Sequence, residues 1–261
     1  MGTFVKKYNP NRGLEWNYGG ANWRLSRSKI DLFIECPRCF CLDNKYGTPR
    51  PRGPAFTLNV AVDALFKKEF DTYRKERRPH PLMEAYGVDA IPFDHPMLST
   101  WRENFKGVEY HDPETGFTIS GAVDDVWEGR DGKLIVVDYK ATAKDGTILT
   151  LADSAWEKQY ERQMGVYQWL LRKSRFDVDE MGYFVYANGD ASRSSFGDTL
   201  AFTTTLVPCK GDSSWIEPTL KEIKKCLESD SLPPIGEGCE YCPYREACGK
   251  KLQALHSLKK S

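Results

Sequence analysis

The sequence predicts an α/β protein in which a mixed central sheet is flanked by helices. Three observations carry this. Phe56–Arg78 and a stretch running from Asp153 or Ser154 to about Arg175 repeat apolar residues every three or four positions, as amphipathic helices do. Phe117–Trp127, Leu134–Thr142, Met181–Tyr186 and Thr199–Pro208 are rich in β-branched and aromatic residues and are bounded by turn formers. Helix, hairpin, helix, strands and helix then follow one another along the chain, with no composition break to mark a boundary. One domain over 24–250 is expected, with an irregular arm over 1–23 and a frayed tail over 251–261.

The first helix, within LSRSKIDLFIECPRC, takes Ser26 or Ser28 as its cap, points Ile30, Phe33 and Ile34 inward and ends at Cys36-Pro37. GTPRPRGP (47–54) is an extended loop carrying Arg50 and Arg52. The helix over 56–78 turns Leu58, Val62, Leu65, Phe66 and Phe70 inward, and Asp63 interrupts that stripe. Residues 79–100 are proline-rich and carry one short helical turn at most. The helix after the hairpin has an inward stripe of Trp156, Tyr160, Gln163 or Met164, Tyr167, and Leu170 or Leu171; Gln163 and Tyr167, four apart, share a face. Trp215–Leu227 is amphipathic, with Ile216, Leu220, Ile223 and Leu227 inward, and PPIGEGCEYCPYREACGKK reads as a turn-rich knot.

With 37 basic and 37 acidic residues the net charge is zero, so a polyanion is not attracted overall and contact with one needs a local basic patch. Neither a signal-peptide core nor a membrane-length apolar run is present, so a cytoplasmic location without membrane contact is expected. Eight cysteines without a secretion signal argue against a disulfide framework.

The stretch FTISGAVDDVWEGRDGKLIVVDYKAT (117–142) is the candidate for chemistry. On its second strand Val136, Asp138 and Lys140 share one face, and Ile135, Val137 and Tyr139 the other. A three-residue loop Arg130-Asp131-Gly132, with Gly132 left-handed, pairs Gly129 with Lys133 and sets Asp124 opposite Asp138. A loop longer by one residue selects Asp125 instead.

The cysteines fall into two groups near the ends, Cys36, Cys39 and Cys41 against Cys239, Cys242 and Cys248, with Cys209 and Cys226 apart. Cys239, Cys242 and Cys248 supply three soft ligands; Cys36, with Cys39 as its rival, supplies a fourth and closes a very long loop. By thiolate count alone, an iron–sulfur cluster and zinc serve equally.

These motifs together resemble the RecB-like branch of the PD-(D/E)XK nuclease superfamily, in particular its iron–sulfur members, such as CRISPR-associated exonucleases and the nuclease domains of bacterial recombination helicase-nucleases. The likeness covers most of the chain in family order: SKIDLFIECPRC at the entry helix, GAVDD, VVDYK, QMGVY and the closing CEYCPYREAC. It implies a restriction-endonuclease-like fold with an iron–sulfur clasp joining the two ends. It assigns Asp124 and Asp138 as metal ligands with the Tyr139 carbonyl, Lys140 as the catalytic lysine, and Gln163 and Tyr167 as orienting residues. It gives Cys36, Cys239, Cys242 and Cys248 to a four-iron, four-sulfur cluster. Where the branch often carries a histidine ligand, the best-aligned residue here is Asp63, which either substitutes as an oxygen ligand or marks an altered site.

The expectation is a Mg²⁺- or Mn²⁺-dependent DNA exonuclease acting on single strands or ends, in repair, recombination, or phage or CRISPR processing, with DNA as partner and protein partners in a repair or CRISPR complex. Arg50, Arg52, Lys144 and Arg162 are the candidate phosphate contacts. Two rivals stand beside it: a catalytically altered nuclease-fold DNA-binding module, and a structural zinc protein unrelated to nucleic acid.

Overall fold

The structure, a computed structural model, describes residues 12–51, 53 and 55–258; Arg52 and residues 1–11 of the expected N-terminal arm lie outside them. In chain order the elements are β1 (Leu25–Ser26), α1 (Arg27–Glu35), α2 (Pro37–Asn44), α3 (Thr57–Glu76), α4 (Pro81–Ala85) and β2 (Ala90–Pro92). Then come α5 (Leu98–Trp101), β3 (Val108–His111), β4 (Thr118–Gly121), β5 (Asp125–Gly129) and β6 (Leu134–Thr142). The chain closes with α6 (Ala155–Lys173), β7 (Met181–Gly189), β8 (Phe202–Lys210), α7 (Ile216–Glu228) and α8 (Tyr241–Leu258). Among the described residues, no helix is long and apolar enough to cross a membrane.

By their contacts the residues gather into two compact units. One comprises Met1–Pro54, Pro113–Phe117 and Glu217–Ser261; the other comprises Ala55–Asp112 and Thr118–Ile216.

The larger unit is built on a five-stranded mixed sheet in the order β2-β5-β6-β7-β8, parallel between β6 and β7 and antiparallel elsewhere. Strand alternation gives the sheet two faces, and a helix covers each. On the Val137–Tyr139 face, Phe70 of α3 stacks on Trp127 at 5.5 Å, in a buried cluster with Met83, Val185 and Leu206. On the Asp138 face, α6 lies so close that a side chain at Gly182 of β7 would collide with Met164. Gly165, one residue on, is equally constrained: a Cβ there would stand on the carbonyl oxygen of Asp212.

The first hairpin strand differs from expectation. Phe117–Trp127 is not one strand but two: β4 pairs with β3, and β5 pairs with β2 and β6. The break falls at Gly121–Asp124. Gly121 lies where any Cβ would come within 2.9 Å of Leu170 and Tyr167, and the Val123 N–H leaves the ladder to donate to the Trp101 carbonyl at 3.1 Å. On α3 the apolar stripe is only half used: Phe70 is buried, whereas Leu58 and Leu65 are exposed. Trp156, at the start of α6, is exposed as well.

In the smaller unit, Cys36 ends α1 and serves as N-cap of α2, with Pro37 at the first helical position, where its missing N–H costs nothing. The C-terminal knot is a helix from Tyr241 on, and it runs through the expected frayed tail to Leu258. Pro243 falls in its first turn, where proline is tolerated.

Candidate active site and four-cysteine centre

The hairpin register places the acidic residues. Gly132 has φ 83°, the Gly129 N–H donates to the Lys133 carbonyl at 2.9 Å, and Asp125 pairs with Val137. One step further back, Asp124 therefore stands opposite Asp138. Its carboxylate accepts the Tyr139 N–H at 3.1 Å, which closes the end of the strand pair.

The two adjacent aspartates do different things. Asp125 is fully buried and accepts from the Arg102 guanidinium at 2.9 Å, the Tyr139 hydroxyl at 2.7 Å, its neighbour's Val126 N–H at 2.8 Å, and Arg74. Burial, and then the charge of Asp125, push the Tyr139 hydroxyl well above its ordinary pKa, so that it stays a donor. Arg102 also donates to the backbone carbonyl of Asp124 at 2.9 Å, so the buried network holds the outer aspartate from behind.

Asp124 itself faces Asp63 and Lys67 of α3. The Lys67 ammonium lies 2.9 Å from the Asp63 carboxylate and 3.3 Å from Asp124. Burial, and next the nearby Asp124 charge, raise the Asp63 pKa, with Lys67 pulling the other way. Burial opposes the charge on Lys67, but Asp124 and Asp63 together outweigh it and hold its pKa above the ordinary value. Lys67 was not among the residues expected from sequence, although its place four residues after Asp63 puts it on the same helical face.

Asp138 is buried on β6 and forms an ion pair with Lys140. Gln163 donates to Asp138 Oδ1 at 2.7 Å and to the Tyr167 hydroxyl at 3.0 Å, while its own oxygen accepts from Lys140 at 3.0 Å. The Lys140 ammonium sits 4.2 Å from the centre of the Tyr160 ring, another contributor that sequence reading had assigned only to packing. Ser154 caps α6, accepting from the Glu157 N–H, and so fixes the helix that presents Gln163, Tyr167 and Tyr160.

Asp63, Asp124 and Asp138 offer oxygen donors only, a set that suits a hard divalent cation. That the Lys67 ammonium lies between two of these carboxylates shows the space is one where positive charge is favoured. Of the expected phosphate contacts, Lys144 is paired with Glu157 at 2.6 Å and Arg162 stands half-buried on α6 beside Gln163. Arg50 is committed elsewhere, as follows.

In the smaller unit, Cys36, Cys39, Cys239 and Cys242 are buried, with their sulfurs all within 4.8 Å of one another. Cys39 takes the corner expected of Cys248. In α8, Cys242 and Cys248 are six residues apart, which turns them to different sides of the helix and separates them by about 9 Å along its axis. Cys248 instead has Tyr244 as its neighbour. The Cys36 sulfur accepts from the Gly236 and Cys39 N–H groups at 3.3 and 3.4 Å. Burial works against the thiolate, yet these bonds bring the Cys36 pKa down to about 7. Arg50 reaches the Cys239 sulfur at 3.4 Å and Glu35 at 2.6 Å while lying over the Tyr241 ring; Arg245 reaches the Cys39 sulfur at 3.6 Å.

The α/β fold and this acidic site with its lysine define the class, and comparison with known proteins agrees. The family model described as "PD-(D/E)XK nuclease superfamily" matches residues 57–249, from the start of α3 into α8. The chain belongs to the PD-(D/E)XK nuclease superfamily. A solved structure described as "Crystal structure of SSO0001" aligns with a TM-score of 0.35 and 14% identity, over 80% of this chain and 79% of that one. Among curated proteins none matches.

Proposed function

We propose that this protein is a divalent-metal-dependent deoxyribonuclease of the RecB-like branch, an exonuclease that hydrolyses phosphodiester bonds of single strands or DNA ends. Its place is in repair, recombination, or phage or CRISPR processing in the cytoplasm. The observation that carries the reading is the group of charged residues where β5 and β6 meet: Asp124, one step beyond the Asp125–Val137 pair, and Asp138, with Lys140 bonded to Asp138 and to Gln163.

Each residue then has a task. Asp124 and Asp138, with Asp63 and the Tyr139 carbonyl, would hold Mg²⁺ or Mn²⁺, which supplies positive charge at the phosphoryl oxygens and acidifies water. Lys140 neutralises charge that develops on the phosphate or positions the attacking water. Its rotamer is restricted on three sides, by Asp138, Gln163 and the Tyr160 ring. Gln163 holds the lysine and the carboxylate in one geometry, and Tyr167 anchors Gln163. The four-cysteine centre lies outside this chemistry and serves as a structural fastening built on a bound metal.

The test is cleavage of end-labelled single- and double-stranded DNA, with closed circular DNA as the substrate that lacks ends, in Mg²⁺ or Mn²⁺ and again in EDTA. Release of nucleotides from the ended substrates only is the expected result. Lys140→Ala, prepared identically, is expected to be slower by about 10²–10³-fold. Cleavage at the wild-type rate by that variant removes the site assignment, and binding without cleavage favours a DNA-binding module that has lost turnover. Gln163→Ala acts through its neighbours and is expected to weaken activity or metal affinity by about 10–100-fold. A metal titration of cleavage reads the effect as a higher half-saturating Mn²⁺ concentration; an unchanged titration would deny Gln163 its orienting role.

A further inference from the structure

We infer that Cys36, Cys39, Cys239 and Cys242 bind one zinc ion as a closed tetrathiolate site, in place of the four-iron, four-sulfur cluster that family resemblance implies.

Spacing decides between the two. Sulfur separations are 3.4 Å for Cys39–Cys242, 3.6 Å for Cys39–Cys239 and 3.8 Å for Cys36–Cys242. A tetrahedron with zinc–sulfur bonds of about 2.3 Å has an edge of about 3.8 Å. Three of the six edges are thus close to that value, and the other three are at most 4.8 Å. A cubane cluster lies between its thiolates, with four irons and four sulfides filling the middle. Sulfurs that all lie within 4.8 Å of one another stand closer together than the thiolates around such a core.

Ligand identity points the same way. The resemblance requires Cys248, which α8 turns away, and leaves Cys39 unused. The structure uses two Cys-x2-Cys pairs, each at the start of a helix: Cys36 caps α2, and Cys239 and Cys242 bracket the first residue of α8. Paired Cys-x2-Cys is a zinc pattern. Four thiolates around a divalent ion leave two excess negative charges. Arg50 at Cys239 and Arg245 at Cys39 face two of the sulfurs, and the Gly236 and Cys39 N–H groups satisfy a third. With four protein ligands no position is left open for a substrate, so the ion is structural.

The experiment uses the whole chain, purified anaerobically from cells supplied with both iron and zinc. The expected result is one zinc ion per chain, no acid-labile sulfide and no brown colour. Exchange of the ion for Co²⁺ should give the intense thiolate-to-cobalt and ligand-field bands of a tetrahedral tetrathiolate. Cys248→Ser should retain its full zinc content, whereas Cys39→Ser should lose it. Iron with acid-labile sulfide in the wild type overturns the inference, as does metal lost from Cys248→Ser but kept by Cys39→Ser. The wild-type metal content decides the matter even if Cys39→Ser does not fold, and none of these readouts depends on nuclease activity.

Discussion

Asp124→Ala is expected to lose DNA cleavage by at least ~10²–10³-fold while the protein stays folded. Its side chain is 25% exposed, and the groups it serves are Lys67, which keeps Asp63, and the Tyr139 N–H. Removing it costs that hydrogen bond, a loss on the order of 1 kcal/mol. Part of this is offset, because Asp124 and Asp63 repel one another, as the raised Asp63 pKa records. Activity and a urea unfolding curve measured on the same preparation separate the two effects. Full activity in this variant would show that the metal-binding role belongs to another residue.

The neighbouring substitution should do the reverse. Asp125→Ala is expected to destabilise the fold by about 3–5 kcal/mol, since it leaves buried positive charge without its counterion. Arg74 is 5% exposed and Arg102 13%, too little for water to replace the carboxylate. Asp71 still faces both arginines, but it cannot satisfy the Tyr139 hydroxyl as well. Chemical denaturation of the purified variant gives the measurement, and a midpoint equal to the wild type would show that the network is dispensable. Two adjacent aspartates thereby divide catalysis from stability.

That division was partly legible in the sequence, and the limits have physical reasons. Asp-Gly in the turn sets a local register, and register alone separates Asp124 from Asp125. Gln163 and Tyr167 lie four apart on a helix whose cap, Ser154, is also local. The arginines that bury Asp125 come from α3 and from the residue just after α5, 51 and 23 residues away, and no local pattern announces such a pairing. The division of Phe117–Trp127 into two strands escaped for a related reason. Phe117–Ile119 and Val126–Trp127 favour extended backbone on either side of a Gly-Ala-Val-Asp-Asp run, and the packing of Tyr167 and Leu170 against Gly121 shows where the chain changes partners. Of the C-terminal cysteines, Cys239 and Cys242 join the four-cysteine group as expected, and Cys248 does not: the segment read as a turn-rich knot is a helix, with Pro243 in its first turn, and the helix carries Cys248 away.

Lys67 has a consequence for how the molecule exists between encounters. The Asp63 and Asp124 carboxylates lie close enough to repel one another. Lys67 stands between those two and Lys140 beside Asp138 as resident counterions. Each of these carboxylates thus has a cation of the protein's own beside it. On the reading proposed above, an arriving divalent ion would compete with Lys67 for Asp63 and Asp124, and its occupancy would be exchangeable.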